Sequence, residues 1–105
     1  MTTWQPVAKT SDIPVERVGL YTVGDHQVAL CNVDGEFYAI DNICTHDGGS
    51  LDQGELEGDQ IECPRHGARF DVRTGAAIQL PAFEPVERHP VRVEGDTIQI
   101  GIEHD

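Results

Sequence analysis

Cys44 and His46 stand two apart in "NICTHDGGSL", and Cys63 and His66 stand three apart in "ECPRHGARFD", with sixteen residues between the pairs. Thiolate and imidazole are soft and borderline donors, so four of them on two short segments point to a bound metal. The chain has only three cysteines and five histidines, and two mixed pairs are not what scattered thiols and surface imidazoles would give. Zinc is one candidate. A structural Cys2His2 zinc site, however, usually takes its cysteines from one loop and its histidines from a helix. Here both segments are mixed, and no helix is predicted to carry a histidine pair. Zinc stays chemically open, but the layout suits it poorly.

A two-iron cluster suits it better. Each segment can give one thiolate to one iron and one imidazole to the other, which is the ligation of a Rieske [2Fe–2S] centre. The two positive charges of an oxidised core are then balanced, whereas four thiolates would leave two negative charges in excess. The less negative centre takes an electron more readily. The motifs "CTHDGG" and "CPRHGARFDVRTG" resemble those of the Rieske-type ferredoxins that serve bacterial ring-hydroxylating dioxygenases, and the likeness runs over nearly the whole chain.

That resemblance implies an all-β fold, a Rieske-type antiparallel β-sandwich base domain with a small cluster-binding subdomain. It implies one [2Fe–2S] cluster, with Cys44 and Cys63 on the inner ferric iron and His46 and His66 on the outer iron that changes valence. It also implies a monomeric one-electron carrier in aromatic hydrocarbon catabolism. Such a carrier takes electrons from a flavin-dependent NAD(P)H ferredoxin reductase and docks transiently on a terminal oxygenase. Respiratory Rieske proteins differ in two respects. They carry an extra cysteine in each loop, forming a disulfide, where this chain has Gly49 and Arg65. They also carry a Ser and a Tyr that donate hydrogen bonds to cluster and ligand sulfur, where this chain has Ala68 and Phe70. Without those donors the expected potential is near the bottom of the Rieske range, about −150 mV.

The elements that must position these residues alternate with a period of two almost throughout. "RVGLYTV" (17–23), "HQVALCNV" (26–33) and "EFYAID" (36–41) read as strands, and Asp34-Gly35 as a tight hairpin turn. Further turns are predicted at Gly58-Asp59, Thr74-Gly75 and Gly95-Asp96, the last closing a hairpin in "VERHPVRVEGDTIQIGI". Six prolines and eleven glycines interrupt the chain too often for long helices. With 105 residues and no linker or repeat, residues 1–105 read as a single domain. The alternation breaks at 43–54 and 63–67, the two Cys/His loops, and at the proline-bearing stretch 80–85. Loops on a rigid β scaffold are where function concentrates.

The remaining features mostly exclude. A net charge of −12 is wrong for nucleic acid or an anionic membrane, and fits steering toward a basic patch on a partner. No apolar run approaches the roughly 20 residues of a membrane span. An odd cysteine count without a leader-like start favours a cytoplasmic protein. Cys31 reads as a core thiol and Trp4 as an edge residue. Asp47 and Arg65 adjoin the ligand histidines at a docking face, and Pro81 shields one side of the cluster. An oxygenase would need a second iron held by two histidines and a carboxylate. His26, His89 and His104 fall on a predicted turn, a strand end and the tail, and are not expected to converge. The chain therefore reads as a carrier and not an enzyme. The rival readings are a small Rieske subunit of another reductase (nitrite reductase type), an Fe–S assembly accessory, and a zinc-stabilised β binding module.

Overall fold

The structure, a computed structural model, describes residues 2–44, 49–64, 67–80 and 84–103. The described residues contain β1 (Thr2–Lys9), β2 (Val18–Val23), β3 (His26–Val33), β4 (Glu36–Asp41), β5 (Leu56–Glu57) and β6 (Gln60–Glu62). These are followed by β7 (Arg69–Asp71), β8 (Ala77–Gln79), β9 (Arg88–His89), β10 (Val91–Glu94) and β11 (Thr97–Glu103). They pair antiparallel into three sheets, ordered β1-β11-β10, β2-β3-β4-β9 and β5-β6-β7-β8. The expected all-β class is what folds.

The middle sheet is built from the strongest local signals. Asp34 and Gly35 both take positive φ, 54° and 93°, as a two-residue hairpin turn with the hand of twisted strands requires. That turn fixes the register from Val33↔Glu36 to Val28↔Asp41. Side chains alternate across a strand, and β3 uses both faces. Val28 and Leu30 enter one core with Val23, Ala39, Ile98 and Ile100. Ala29 and Cys31 enter a second core with Ile40, Leu51, Ile61 and Phe70. The sheet thus lies between the β1-β11-β10 sheet on one side and the loop-bearing region on the other.

β1 is missing from the sequence expectations because Pro6 interrupts its pattern. The strand lies at a sheet edge, and its register against β11 shifts between Pro6 and Ala8, as suits a residue without an N–H. Trp4 belongs to this edge, with the Arg92 guanidinium 4.4 Å from its ring centre, so the edge reading holds.

The loop-bearing sheet has strands of only two or three residues. Close backbone approach supplies what length does not. A Cβ on Gly54 would lie 1.7 Å from the Glu62 carbonyl oxygen, and one on Gly75 2.2 Å from that of Val86. Gly75 also takes φ +83°, and its carbonyl accepts the Val86 N–H at 2.8 Å. Arg69 pairs with Glu62 at 3.1 Å, and Arg73 with Asp59 at 2.9 Å. Beneath them Leu51, Ile61 and Phe70 are fully buried, each contributing about 1.5–3 kcal/mol by leaving water.

Candidate metal centre

The two Cys/His loops begin alike. β4 ends at Asp41, and three residues later the Cys44 N–H donates to the Gly49 carbonyl at 2.7 Å. β6 ends at Glu62, and the Cys63 N–H donates to the Ala68 carbonyl, also at 2.7 Å. Both loops are therefore closed at their first residue by a bond to the residue five further on. In the second, Gly67 at φ +75° also returns its N–H to the Cys63 carbonyl at 3.1 Å.

Asn42, which sequence reasoning passed over, secures the first loop. Its Nδ2 donates to Asp52 Oδ1 at 2.7 Å and its Oδ1 accepts the Asp52 N–H at 2.6 Å. The clasp joins the two ends of the loop ten residues apart. An Asn after a strand gives no distinctive signal in one sequence, because the same residue serves any turn. The second loop is tied to β8, where Gln79 Nε2 donates to the Gly67 carbonyl at 2.9 Å.

Cys44 and Cys63 are brought together in one buried core with Ala68 and Phe70. None of the three cysteines is in a disulfide. Two buried thiols with no disulfide partner, opening matched loops in one apolar core, suit thiolate ligation of a cluster. His46 and His66, with Asp47, Arg65 and Pro81, lie outside the described residues. Cys31 shares the same core, and burial pushes its thiol up to about 12. It is a neutral core residue at ordinary pH, as its place in the strand pattern indicates. Ala68 and Phe70 are wholly buried, so the two positions that lack a hydroxyl face the protein interior.

One expectation fails. His26 and His89 do converge, and the point of convergence is Asp41. His89 Nε2 lies 2.6 Å and His26 Nδ1 3.6 Å from the same oxygen, Asp41 Oδ1. The imidazole rings meet edge to face with centres 5.2 Å apart. The hairpin register sets Asp41 opposite Val28, two residues from His26 on the same face, and β9, a two-residue strand pairing far along the chain, sets His89 opposite Ala39, two residues from Asp41.

Residues 3–90 match the family model described as Rieske [2Fe-2S] domain, and the chain belongs to that family. Its centre is accordingly a Rieske-type [2Fe–2S] cluster, and by its relatives the chain is an electron-carrying ferredoxin and not a catalytic oxygenase. It is 40% identical over 99 residues, 94% of this chain and 95% of the relative, to the naphthalene 1,2-dioxygenase system ferredoxin component of Pseudomonas aeruginosa. Among solved structures it resembles the ferredoxin of carbazole 1,9a-dioxygenase from Nocardioides aromaticivorans IC177, at TM-score 0.90 and 35% identity, covering 93% of this chain and 96% of that one. It also resembles a chain in the complex of reduced oxygenase and oxidised ferredoxin in carbazole 1,9a-dioxygenase. There the TM-score is 0.87 and the identity 35%, covering 92% of this chain and 91% of that one. No helix among the described residues is long and apolar enough to cross a membrane.

Proposed function

We propose that residues 1–105 form one Rieske domain in which Cys44, His46, Cys63 and His66 hold a single [2Fe–2S] cluster. It serves as a monomeric cytoplasmic shuttle between a flavin-dependent NAD(P)H reductase and a terminal aromatic-ring oxygenase. The observation that carries the reading is the pair of buried thiols, Cys44 and Cys63, at the mouths of two equivalently closed loops. When bound, the cluster supplies reversible one-electron chemistry. The chain's own residues do the rest. The core around Phe70 keeps water from the thiolate side, and the amide closures fix where each loop begins. Cysteines outside any disulfide suit a reducing cytoplasm.

The docking surface follows from what borders the loops. Ile43 precedes Cys44, and Ile78 and Leu80 flank Gln79, the residue tied to the second loop. All three are large apolar side chains left exposed, Leu80 at 73%. An apolar margin on a chain of net charge −12 supports brief, steered encounters with a basic partner face.

The test is reconstitution. The purified protein should be red-brown, and after reduction should give an EPR signal averaging below the free-electron g value. With a flavin reductase and a ring-hydroxylating oxygenase, product formation should require it. Transfer should slow as ionic strength rises and the screening length shrinks from about 10 Å at 0.1 M to about 3 Å at 1 M. A colourless, zinc-loaded protein would replace this reading with the zinc module. A stable one-to-one complex with a large reductase would favour the fixed-subunit reading.

A further inference from the structure

His26, Asp41 and His89 form a cluster that electron transfer does not use. The three are the first residue of β3, the last of β4 and the last of β9, adjacent strands of one sheet. They sit at the end from which the chain leaves for Cys44. One nitrogen from each imidazole and one carboxylate oxygen lie within 4.8 Å of one another.

A hydrogen bond explains only part of this arrangement. His89, 6% exposed, donates its Nε2–H to Asp41 at 2.6 Å. His26 Nδ1 stops at 3.6 Å from the same oxygen, beyond hydrogen-bond range. The outer nitrogen of His26, Nε2, is 3.7 Å from Asp25 Oδ1. At 3.7 Å from a fully exposed carboxylate that contact orients His26 weakly, and what marks the place is the convergence on Asp41. His26 is partly open, 36% exposed, and the histidines line a small cleft of about 80 Å³ with Glu87, Arg88 and Gly101. The cleft opens on the two histidines, while Asp41 lies behind them and does not line it.

We infer that His26, Asp41 and His89 form a second metal site, separate from the cluster, that takes a divalent ion of borderline softness such as Zn²⁺. Two imidazoles and one carboxylate with an open fourth position are a common zinc donor set. Ligand atoms about 2.0–2.2 Å from a tetrahedral ion stand roughly 3.3–3.6 Å apart. The His26–Asp41 distance already has that value. The His89–Asp41 pair must open from 2.6 Å by roughly 0.7–1.0 Å, and the two imidazole nitrogens, within 4.8 Å, must settle at the same spacing, both small side-chain rotations. Binding needs His89 Nε2 bare, so on a neutral imidazole the proton that now faces Asp41 moves to Nδ1. Asp25, Glu87 and the chain's overall negative charge favour a cation there, against Arg88 alone among the cleft's residues. A bound ion would tie β3, β4 and β9 together just before the first cluster loop.

The experiment is equilibrium dialysis of the iron-loaded protein against Zn²⁺ alone, with zinc and iron measured in the same samples. We expect one zinc per chain with iron content unchanged, and at least tenfold weaker binding in both His26→Gln and Asp41→Asn, while His104→Gln binds as the parent does. His26 is partly exposed, so His26→Gln should keep its fold and its iron. The site is overturned by absence of zinc at one equivalent, by zinc gained only as iron is lost, or by undiminished affinity in iron-replete His26→Gln.

Discussion

The base sandwich and the loop-bearing region are built on different terms. β1 and β3 are eight residues long and β11 seven, whereas no strand of the β5–β8 sheet exceeds three. The base core takes β-branched and aliphatic side chains from two facing sheets and from Ile13, and its buried members among the described residues are all hydrocarbon. The second core packs Phe70, Ile61 and Leu51 around three thiols, two of which open the Cys/His loops. Strands of two or three residues, well below the usual five or six, give the β5–β8 sheet few ladder bonds. The base can therefore fold on burial alone, while the other region depends on backbone closures, glycine close approaches and whatever its thiols bind. An electron carrier gains from this division: a stiff platform fixes where each loop begins.

The sharpest way to break that comparison is to remove a thiol ligand. Cys44→Ser and Cys63→Ser should each lose the reduced-state EPR signal and the colour completely. Hydrogen exchange should then divide the molecule. Amides of Ile61 and Phe70 should lose protection by about a hundredfold, while those of Leu30 and Ile100 hold. Equal loss in both regions would show one cooperative unit and end the comparison.

The next largest effect is steric. Gly54→Ala places a methyl 1.7 Å from the Glu62 carbonyl, so the backbone must move, at a cost of about 1–3 kcal/mol. The cluster should bleach faster on warming. Gly95, in the base hairpin, has φ +63° and nothing within 4 Å of its missing Cβ. Gly95→Ala should cost only about 1 kcal/mol of left-handed strain and leave the bleaching rate unchanged. Thermal melts followed at the cluster absorption check both.

How much of this was legible beforehand divides along the same line. β3 and β4 appear in the sequence with the bounds they have in space, because their signals are local: alternating side chains and an Asp-Gly turn. β1 was obscured by Pro6, a residue tolerated only because the strand is an edge. The Cys/His segments were legible as a ligand set, since rare residue types at short spacing carry their own information. What stayed hidden was long-range. His26 and His89 looked unrelated because their meeting depends on β9, whose two residues find β4 only through the tertiary fold. Asn42 and Gly54 matter through partners ten and eight residues away, a relation that no local pattern encodes.

A smaller effect tests whether the second core tunes the centre. Phe70→Tyr puts a hydroxyl among the buried thiols. One added hydrogen bond of about 1 kcal/mol to the reduced state raises the midpoint by roughly 40 mV, on the scale where about 59 mV is tenfold for one electron. The parent midpoint should lie near −150 mV. Phe37→Tyr, beside the base core, should leave it unchanged. Protein-film voltammetry reads all three values. A parent midpoint above zero, or equal shifts from the two variants, would mean that the missing hydroxyls do not set the potential.

The smallest expected effect on the centre lies at the seam. Cys31 belongs to a base strand but faces the second core, so it tests where one region stops. If it is only packing, Cys31→Ala should keep full iron content and an unmoved midpoint, at a cost of about 1 kcal/mol in stability at neutral pH. Its titration leaves a separate mark. Burial raises the thiol from 9.0 to about 12, so the unfolded chain releases this proton first. The stability this group contributes is present below about pH 9 and is lost as pH rises toward 12. Denaturant melts should therefore show the parent weakening through that window by a few kcal/mol more than Cys31→Ala does. Iron loss or a shifted midpoint in Cys31→Ala would instead put this thiol in the centre's own machinery, and the boundary between platform and loops would move inward by one strand.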